Sequence, residues 1–261
     1  MTLKNCYWCG APITVEGHHT CARCLLVAAD TDPDRPVELG PDDAAPCELL
    51  SVIGETARAV TFLGQQTWPL ERLVAFKILK GDAAAAMAEF SPEVHLRHPH
   101  INPVLERGRM GSRVYIMSPY LAGGSLPSCS DRHHASAAVR LSAMLAVTEA
   151  LIFAHARGIA HGHLVPANVL CEAASPATAK IVDFLGNSRC QPAATLTAAL
   201  ARADLDGLVR LAEVLLPRHL LHGVAAATVL EHLRKSQALA AFGQQLKELQ
   251  AGLARPAPEG P

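Results

Sequence analysis

The sequence contains few aromatic residues, almost no net charge and no long apolar segment. Phe, Tyr and Trp make up 4% of its 261 residues, whereas hydrophobic residues of all kinds make up 50%. A core of this composition, which is also rich in alanine, should be aliphatic and largely helical. The formal net charge of -1 gives no electrostatic reason to expect binding to nucleic acid or to an anionic membrane. The length suits one large domain or two unequal ones.

The sequence also lacks the segments that direct a protein into or across a membrane. No uninterrupted apolar run reaches the roughly 20 residues that a transmembrane helix needs. The N-terminus has no basic region followed by an apolar one, which is the pattern of a secretion signal. We therefore expect a cytoplasmic protein without a transmembrane segment.

The cysteines fall into two sets, one paired at short spacing near the N-terminus and one scattered. The paired set consists of Cys6, Cys9, Cys21 and Cys24. In a chain without a secretion signal, C-x2-C pairs favour metal binding over disulfides. Four thiolates can complete one tetrahedral Zn²⁺ site, and the metal would supply folding energy that so short a segment lacks. Residues 1–27 are therefore predicted to form a zinc ribbon.

Two alternatives concern this N-terminal segment. The four cysteines could be free thiols in a disordered tail, and His18 or His19 could replace a thiolate ligand. Adjacent histidines are more often part of a solvated turn, and four cysteines already complete the ligand set. Residues 28–46, which combine acidic residues with Pro and Gly, are predicted to be a linker.

A second motif, His-Gly-His-Leu-Val-Pro-Ala-Asn-Val-Leu, spans residues 161–170. It resembles the catalytic loop of eukaryotic-type protein kinases, H-R-D-L-K-P-x-N-[IV]-L. The agreeing positions are His161, Leu164, Pro166, Asn168, Val169 and Leu170. The family's catalytic Asp is replaced by His163 and its Lys by Val165. The positions that hold the shape of the loop are therefore kept, whereas two that act on phosphate are not.

Upstream segments resemble the small lobe of the same family. Residues 47–54 resemble its first strand, and residues 54–63 resemble the G-x-G-x-x-G-x-V phosphate loop with only Gly54 of the three glycines kept. Residues 74–80 resemble the V-A-I-K strand, in which Ala75 leaves room for adenine and Lys77 reaches the α- and β-phosphates. Alternatively, Lys77 is an exposed edge residue, as Lys80 is expected to be.

The resemblance also implies a carboxylate partner for Lys77 on the following helix. Glu89 stands nine residues before the His-Pro-His-Ile turn at residues 98–101, which is the offset of the family's ion-pairing Glu. Pro92 would kink or end that helix, so Glu93 is the alternative partner. Either Glu could instead lie on a solvated helix face.

Residues 114–126 resemble the last small-lobe strand and the hinge, with Ser118 at the gatekeeper position. The resemblance implies that adenine contacts the carbonyl of Pro119, the N–H of Leu121 and Leu170 of the loop. The D-F-G-like Asp-Phe-Leu at residues 183–185 implies that Asp183 and Asn168 bind Mg²⁺ through oxygen.

Helices are predicted over residues 136–158, 204–216 and about 225–254. Only residues 187–203 separate the D-F-G-like segment from the second of these helices, and they contain no A-P-E motif. This stretch is too short for an ordinary activation segment with a peptide-docking loop, so the large lobe should be abbreviated.

These resemblances imply an α+β, two-lobed protein-kinase-like fold behind a zinc ribbon. The predicted parts are the ribbon at 1–27, the linker at 28–46, a small lobe at 47–121, a large lobe at 122–254 and a tail at 255–261. The expected function is that of a pseudokinase, which binds ATP with Mg²⁺, transfers phosphate poorly and contacts an unidentified protein partner. The alternative is an active, atypical serine/threonine kinase with His163 as the base. A nucleic-acid-binding ribbon is disfavoured by the charge.

Overall fold

The computed structural model describes residues 4–5, 12–13, 46–56, 59–67, 69–80, 96–110, 113–184, 197–216, 231, 235–236 and 238–253. The chain divides into two compact units. The first unit comprises Met1–Pro92 and Pro103–Tyr120, and the second comprises Glu93–Asn102 and Leu121–Pro261.

Two short strands, β1 (Lys4–Asn5) and β2 (Pro12–Ile13), pair antiparallel near the N-terminus. The cysteines predicted to bind zinc lie outside the described residues, as do the linker and the tail. Among the described residues, no group of three or more His, Cys, Asp or Glu side chains is arranged to hold a metal ion. The zinc ribbon therefore stays a prediction.

A five-stranded antiparallel sheet forms the body of the first unit, in the order β3-β4-β5-β7-β6. Its strands are β3 (Glu48–Glu55), β4 (Ala59–Gln66), β5 (Arg72–Leu79), β6 (Glu106–Met110) and β7 (Arg113–Pro119). The predicted strands near residues 47–54, 74–80 and 114 onward are confirmed, with shifts of a residue or two at their ends.

The core of the first unit lies on one face of this sheet. Alternate residues of β5, which include Val74 and Phe76, are buried there, as expected when one face of a strand is covered. Phe76 pairs across strands with Phe62, and its ring stacks on Tyr115 with centroids 4.8 Å apart. The aliphatic core predicted from composition is wrong for this unit, because three of the few aromatic residues are gathered at its centre.

The second unit is mainly helical and carries a small sheet in the order β10-β9-β8. Its strands are β8 (Gly124–Ser125), β9 (Val169–Cys171) and β10 (Ala179–Ile181). Its helices are α1 (Leu126–Arg132), α2 (Ala137–His155), α3 (Ala198–Leu215) and α4 (Leu239–Leu253). Short 3-10 turns span Pro166–Asn168 and Pro176–Thr178.

Hydroxyl side chains fix where the first three helices begin. Ser125, Ser136 and Thr197 each accept a hydrogen bond from a backbone N–H in the first helical turn. Such caps satisfy donors that have no partner inside the helix. The cap at Thr197 starts α3 at Ala198, earlier than the predicted start at Asp204. Residues 185–196, which lie outside the described residues, are then all that connects Phe184 to this cap.

The predicted long helix at residues 136–158 is confirmed as α2, and Gly158 follows it with φ +75°. Its side chains Met144, Val147 and Leu151 are fully buried in the core of the second unit. By length and composition α2 is also apolar enough to cross a membrane, with half of the relevant window buried in the protein. A core helix passes the same test, and this burial pattern is that of a core helix.

Two helical glycines differ in the space around them. A Cβ at Gly207 of α3 would lie 2.6 Å from the carbonyl oxygen of Leu164 and 2.7 Å from its Cβ. A Cβ at Gly243 of α4 would meet Thr148 Cγ2 of α2 at 3.5 Å, an ordinary contact distance. The absence of a side chain at Gly207 therefore lets α3 approach the loop that contains Leu164.

We expect Gly207→Ala to destabilise the protein by about 1–3 kcal/mol, because backbone and core atoms must move to admit the methyl group. The matched substitution Gly243→Ala should be neutral or stabilising by up to about 1 kcal/mol, because alanine favours helix and the space is open. Urea unfolding of both variants measures the difference. Equal effects of the two substitutions would contradict this packing.

Candidate functional site

The predicted nucleotide-binding residues of the first unit lie on the face of the sheet opposite its core. Lys77 of β5 is paired with Thr61 of β4 on one side and with Ile116 of β7 on the other. Thr61 is paired in turn with Gly54 of β3. Directly paired residues project to the same face of a sheet. Gly54 and Lys77 are thus brought into one row across three strands.

Ala75 belongs to the same face, one step along β5. Its cross-strand partner is Ser118, which the sequence places at the gatekeeper position. On its other side, Ala75 is paired with Leu63 of β4. The register therefore unites Gly54, Ala75, Lys77 and Ser118 on one surface.

Thr61 is a residue of this face that the sequence prediction missed. It lies between Gly54 and Lys77 in the row, and its side chain is half-buried. Thr61 and Lys77 are far apart along the chain, so the sequence does not show that they are neighbours. They are neighbours because β4 pairs with β5. The signal in the sequence was the alternation of β4. Because Val60 and Phe62 are buried on the core face, Thr61 between them lies on the opposite face.

The segment predicted to be the hinge adjoins the end of β7. Pro119, predicted at the first hinge position, is the last residue of that strand and is paired with Val74. Its contact with adenine stays a prediction. The N–H of Tyr120 still donates to the carbonyl of Leu73, at 3.2 Å. Proline ends the strand here because it cannot continue the ladder through an N–H. Leu121, the other predicted hinge contact, is buried in the second unit.

The predicted pairing of Lys77 with Glu89, or with Glu93, lies outside the described residues and stays a prediction. Lys80 is different, and its expected exposure is wrong. Its ammonium donates to the Glu55 carboxylate at 2.8 Å, and its side chain is only 18% exposed. Lys80 therefore ties the end of β5 to the end of β3.

In the second unit, the loop at residues 161–164 is held by a buried carboxylate. Asp204 of α3 has no exposed surface and accepts three hydrogen bonds, all of 2.6–2.8 Å. The donors are the backbone N–H groups of His161 and Gly162 and the imidazole Nε2 of His155. A buried charge is tolerated when such donors surround it.

His161 links this loop to the segment that contains Asp183. Its ring is buried, its Nδ1 accepts from the N–H of His163, and its Nε2 lies 2.8 Å from the carbonyl oxygen of Val182. With Nδ1 acting as acceptor, the proton is assigned to Nε2, which donates to Val182. The ring also meets Phe184 edge-on, with centroids 5.0 Å apart. Burial lowers the pKa of His161, and the opposing effects of Val182, Asp204 and Asp183 are smaller.

Asn168 and Asp183, the predicted magnesium ligands, are joined through the backbone. The N–H of Val182 donates to the carbonyl of Asn168 at 2.9 Å, and the Asn168 side-chain amide donates to the carbonyl of His163 at 3.1 Å. Asp183 follows directly and has φ +64°, in the left-handed region. A non-glycine residue adopts that conformation at a cost of about 1–3 kcal/mol, and such residues cluster at functional sites.

The two residues fit a magnesium ion in their chemistry. The Asn168 amide nitrogen is the atom bonded to His163, so the amide oxygen is turned away from that bond. Asp183 is exposed, which leaves its carboxylate accessible to solvent. Amide and carboxylate oxygens are the ligand types that Mg²⁺ accepts, together with water and phosphate oxygen.

Leu170 and His163 are also part of this region. Leu170 in β9 is paired with Ser125 of β8 and Lys180 of β10, and it is half-buried between two fully buried neighbours. His163 is exposed, and within the described residues only its backbone is hydrogen-bonded. The backbone at the catalytic position is thus fixed on both sides, while the imidazole points to solvent.

Asp204, His155 and Gly207 were missing from the predicted site. The ring of His155 bonds the buried Asp204. The sequence places Asp204 and Gly207 in the helix predicted over residues 204–216. What it could not show is that this helix reaches the loop.

The comparisons with known proteins agree with this architecture. A β-sheet unit followed by a helical unit with this loop defines a protein-kinase-like fold. Residues 48–199, more than half of the chain, match the protein kinase domain family. The chain therefore belongs to the protein kinase family, whose members generally use ATP and Mg²⁺.

Several bacterial serine/threonine kinases are similar in sequence. The probable serine/threonine-protein kinase PknB of Lactococcus lactis is 28% identical over 57% of this chain and 25% of its own length. PknI of Mycobacterium tuberculosis is 35% identical over 43% of this chain and 20% of its own length. The chain thus spans a quarter or less of the curated relatives named here. The solved kinase domain of M. tuberculosis PknI is 25% identical, with a TM-score of 0.56, and the match covers 80% of this chain and 96% of that domain.

We expect the stability of the protein to fall on acidification from about pH 7.5 to about pH 5.5, partly through His161. Its folded-state pKa lies below the ordinary value of 6.5, so the unfolded chain binds the proton first. Stability is therefore full above pH 6.5 and declines as the pH falls toward the lowered pKa. Denaturant unfolding across this range, compared with His161→Gln, measures the contribution.

The decline should be smaller in His161→Gln but still present. His98 acts in the same direction, because burial and His100 lower its pKa. An unchanged pH dependence in the variant would contradict the assignment to His161.

Proposed function

We propose that this protein-kinase domain binds ATP with Mg²⁺ but transfers the γ-phosphate poorly or not at all. The observation that carries the proposal is an asymmetry within the second unit. Asn168 and Asp183 are hydrogen-bonded into one backbone arrangement, whereas His163 and Val165 replace the two loop residues that act on phosphate. The residues proposed to bind the metal are kept, whereas the two that would act in phosphate transfer are replaced.

The first unit supports nucleotide binding by its own residues. Gly54, Ala75 and Lys77 share one face of its sheet, with Lys77 between Thr61 and Ile116 in its row. A lysine in this setting is a suitable ligand for phosphate oxygens, which are strong acceptors of charge-assisted hydrogen bonds. We propose that the carbonyl of Pro119, the N–H of Leu121 and the side chain of Leu170 contact adenine, and that Glu89 or Glu93 orients Lys77.

The magnitude of the losses favours impaired transfer. A positioned general base typically contributes about 10²–10⁴-fold to rate. The missing loop Lys removes further stabilisation of the transferring charge. Residues 185–196 also leave little chain for a peptide-docking platform before α3 begins. We therefore propose a regulatory or scaffolding role in the cytoplasm, with an unidentified protein as partner.

A second candidate is an atypical serine/threonine kinase in which His163 replaces the base. The observation in its favour is that the His163 ring is exposed, so it is accessible to a substrate hydroxyl. Imidazole is a competent base near neutral pH. We rank this candidate second because His163 would replace only the base, and the loop Lys would still be missing.

ATP with Mg²⁺ is expected to raise the melting temperature by a few degrees at saturation, because ligand at about 100 times its dissociation constant stabilises by about 2.7 kcal/mol. Lys77→Ala and Asp183→Ala should lose most of this shift. Lys80→Ala is the matched control, because Lys80 is already bonded to Glu55. No shift in the wild type, with or without Mg²⁺, would refute nucleotide binding.

The same proteins distinguish the two candidates when incubated with γ-labelled ATP. Incorporation at background supports impaired transfer. Labelling that disappears in both Asp183→Ala and His163→Ala would instead establish the second candidate.

We further propose that Cys6, Cys9, Cys21 and Cys24 bind one structural Zn²⁺. The paired strands β1 and β2 flank the first C-x2-C pair, with Lys4 opposite Ile13 and Asn5 opposite Pro12. An antiparallel pair joined by residues 6–11 brings both ends of that segment together, as a two-thiolate zinc knuckle requires.

Purified protein is expected to contain one zinc per chain by elemental mass spectrometry. Cys9→Ser with Cys21→Ser should abolish it, since each C-x2-C pair would lose a thiolate. Cys190→Ser is the matched control, because Cys190 belongs to the scattered set. Full zinc occupancy in the double variant would overturn the proposed ligand set.

A further inference from the structure

Arg210 of α3 contacts the catalytic loop just before Val165, which stands in place of the family's Lys. Its guanidinium donates to the carbonyl oxygen of Leu164 at 3.1 Å. Leu164 is fully buried, and the next residue is Val165, which stands in place of the family's Lys. A cation on α3 therefore holds the peptide that joins Leu164 to Val165.

The spacing of α3 explains why Arg210 reaches this peptide. Asp204, Gly207 and Arg210 follow one another in steps of three residues, so each is a neighbour of the next on the helix surface. Each meets a different part of the loop. Asp204 accepts from the N–H groups of His161 and Gly162, and Gly207 touches Leu164. Arg210 is the last member of this row.

We propose that Arg210 is a positioning residue for Asn168 and, through it, for the segment of Asp183. This inference rests on the proposed binding of ATP with Mg²⁺. By holding the Leu164 carbonyl, Arg210 fixes the peptide plane from which the 3-10 turn Pro166–Asn168 starts.

The contacts from that peptide to the metal ligands are continuous. Val165 is extended, with φ −132° and ψ 157°, as a residue before proline must be. Its carbonyl accepts from the N–H of Asn168 at 2.9 Å, and the Asn168 carbonyl accepts from the N–H of Val182 at 2.9 Å. A rotation of the Leu164–Val165 peptide would therefore move Asn168 and its link to Asp183.

Arginine is well suited to this task. Its guanidinium stays charged at all working pH values and makes directional, charge-assisted hydrogen bonds. Asp206, an acidic residue one turn before Arg210, is bonded to Arg202 at 2.8 Å. Arg210 is itself an exposed residue, so loss of its charge should change global stability little. The expected effect is thus on the geometry of the loop rather than on the fold.

The test compares Arg210→Met with Arg202→Met, a change of the same kind on the same helix. Calorimetry measures ATP affinity in excess Mg²⁺ and in EDTA. In Arg210→Met, the gain in affinity that Mg²⁺ provides should fall by about tenfold, the range for residues that orient metal ligands. Affinity in EDTA should stay as in the wild type. Arg202→Met should leave both unchanged, and Arg210→Lys should restore part of the gain.

Amide hydrogen exchange provides a readout that needs no ligand. The N–H of Asn168 should exchange faster in Arg210→Met than in the wild type and in Arg202→Met. If Arg210→Met keeps the Mg²⁺-dependent gain and the protection of Asn168, the inference is overturned. Failure of Arg210→Met to fold would also overturn it, because Arg210 would then serve the fold.

Calorimetry and hydrogen exchange distinguish loss of ATP binding from loss of the Arg210 contact. A wild-type protein that binds no ATP in either buffer refutes the proposed function. Hydrogen exchange at Asn168 then still decides whether Arg210 holds the turn.

Discussion

The buried carboxylate of Asp204 is the interaction on which the second unit depends. It has no contact with solvent and is satisfied by His155 at the end of α2 and by the N–H groups of His161 and Gly162. Removing any of these donors would leave part of a buried charge without a partner, which costs several kcal/mol in a protein interior. The shape of the loop is thus set from α3, by residues that take no part in phosphate chemistry.

This dependence explains how the loop keeps its form with His163 and Val165 at the positions where the family has Asp and Lys. Neither His163 nor Val165 contributes a side-chain bond that holds the loop within the described residues. The backbone at His163 is held by His161 on one side and by Asn168 on the other. Substitution at the reactive positions therefore carries little structural penalty. Fold and activity are separable here because they rest on different atoms.

Much of the fold could be predicted from local motifs, since each predicted strand and helix within the described residues is present. What the sequence could not show was contact between distant segments. The neighbourhood of Thr61 and Lys77 depends on the register of β4 and β5, and a slip of one residue would turn Lys77 toward the core. The early start of α3 depends on the Thr197 cap, which the helical spacing of apolar residues does not reveal.

The proposed metal-binding and nucleotide-binding residues could be selected from the family motifs, whereas their surroundings could not. Asn168 and Asp183 follow from the family motifs, whereas the anchoring by Asp204, Gly207 and Arg210 is visible only in three dimensions. The pairing of Pro119 with Val74 is also visible only in the structure, and it is possible because the end of a strand tolerates a proline.

The order in which the chain is made gives the Asp204 anchor one more consequence. His155, His161 and Gly162 leave the ribosome before the carboxylate that binds all three has been synthesised. The loop therefore cannot take its final form on a nascent chain until α3 has emerged. During that interval the donors of the loop must be satisfied by water.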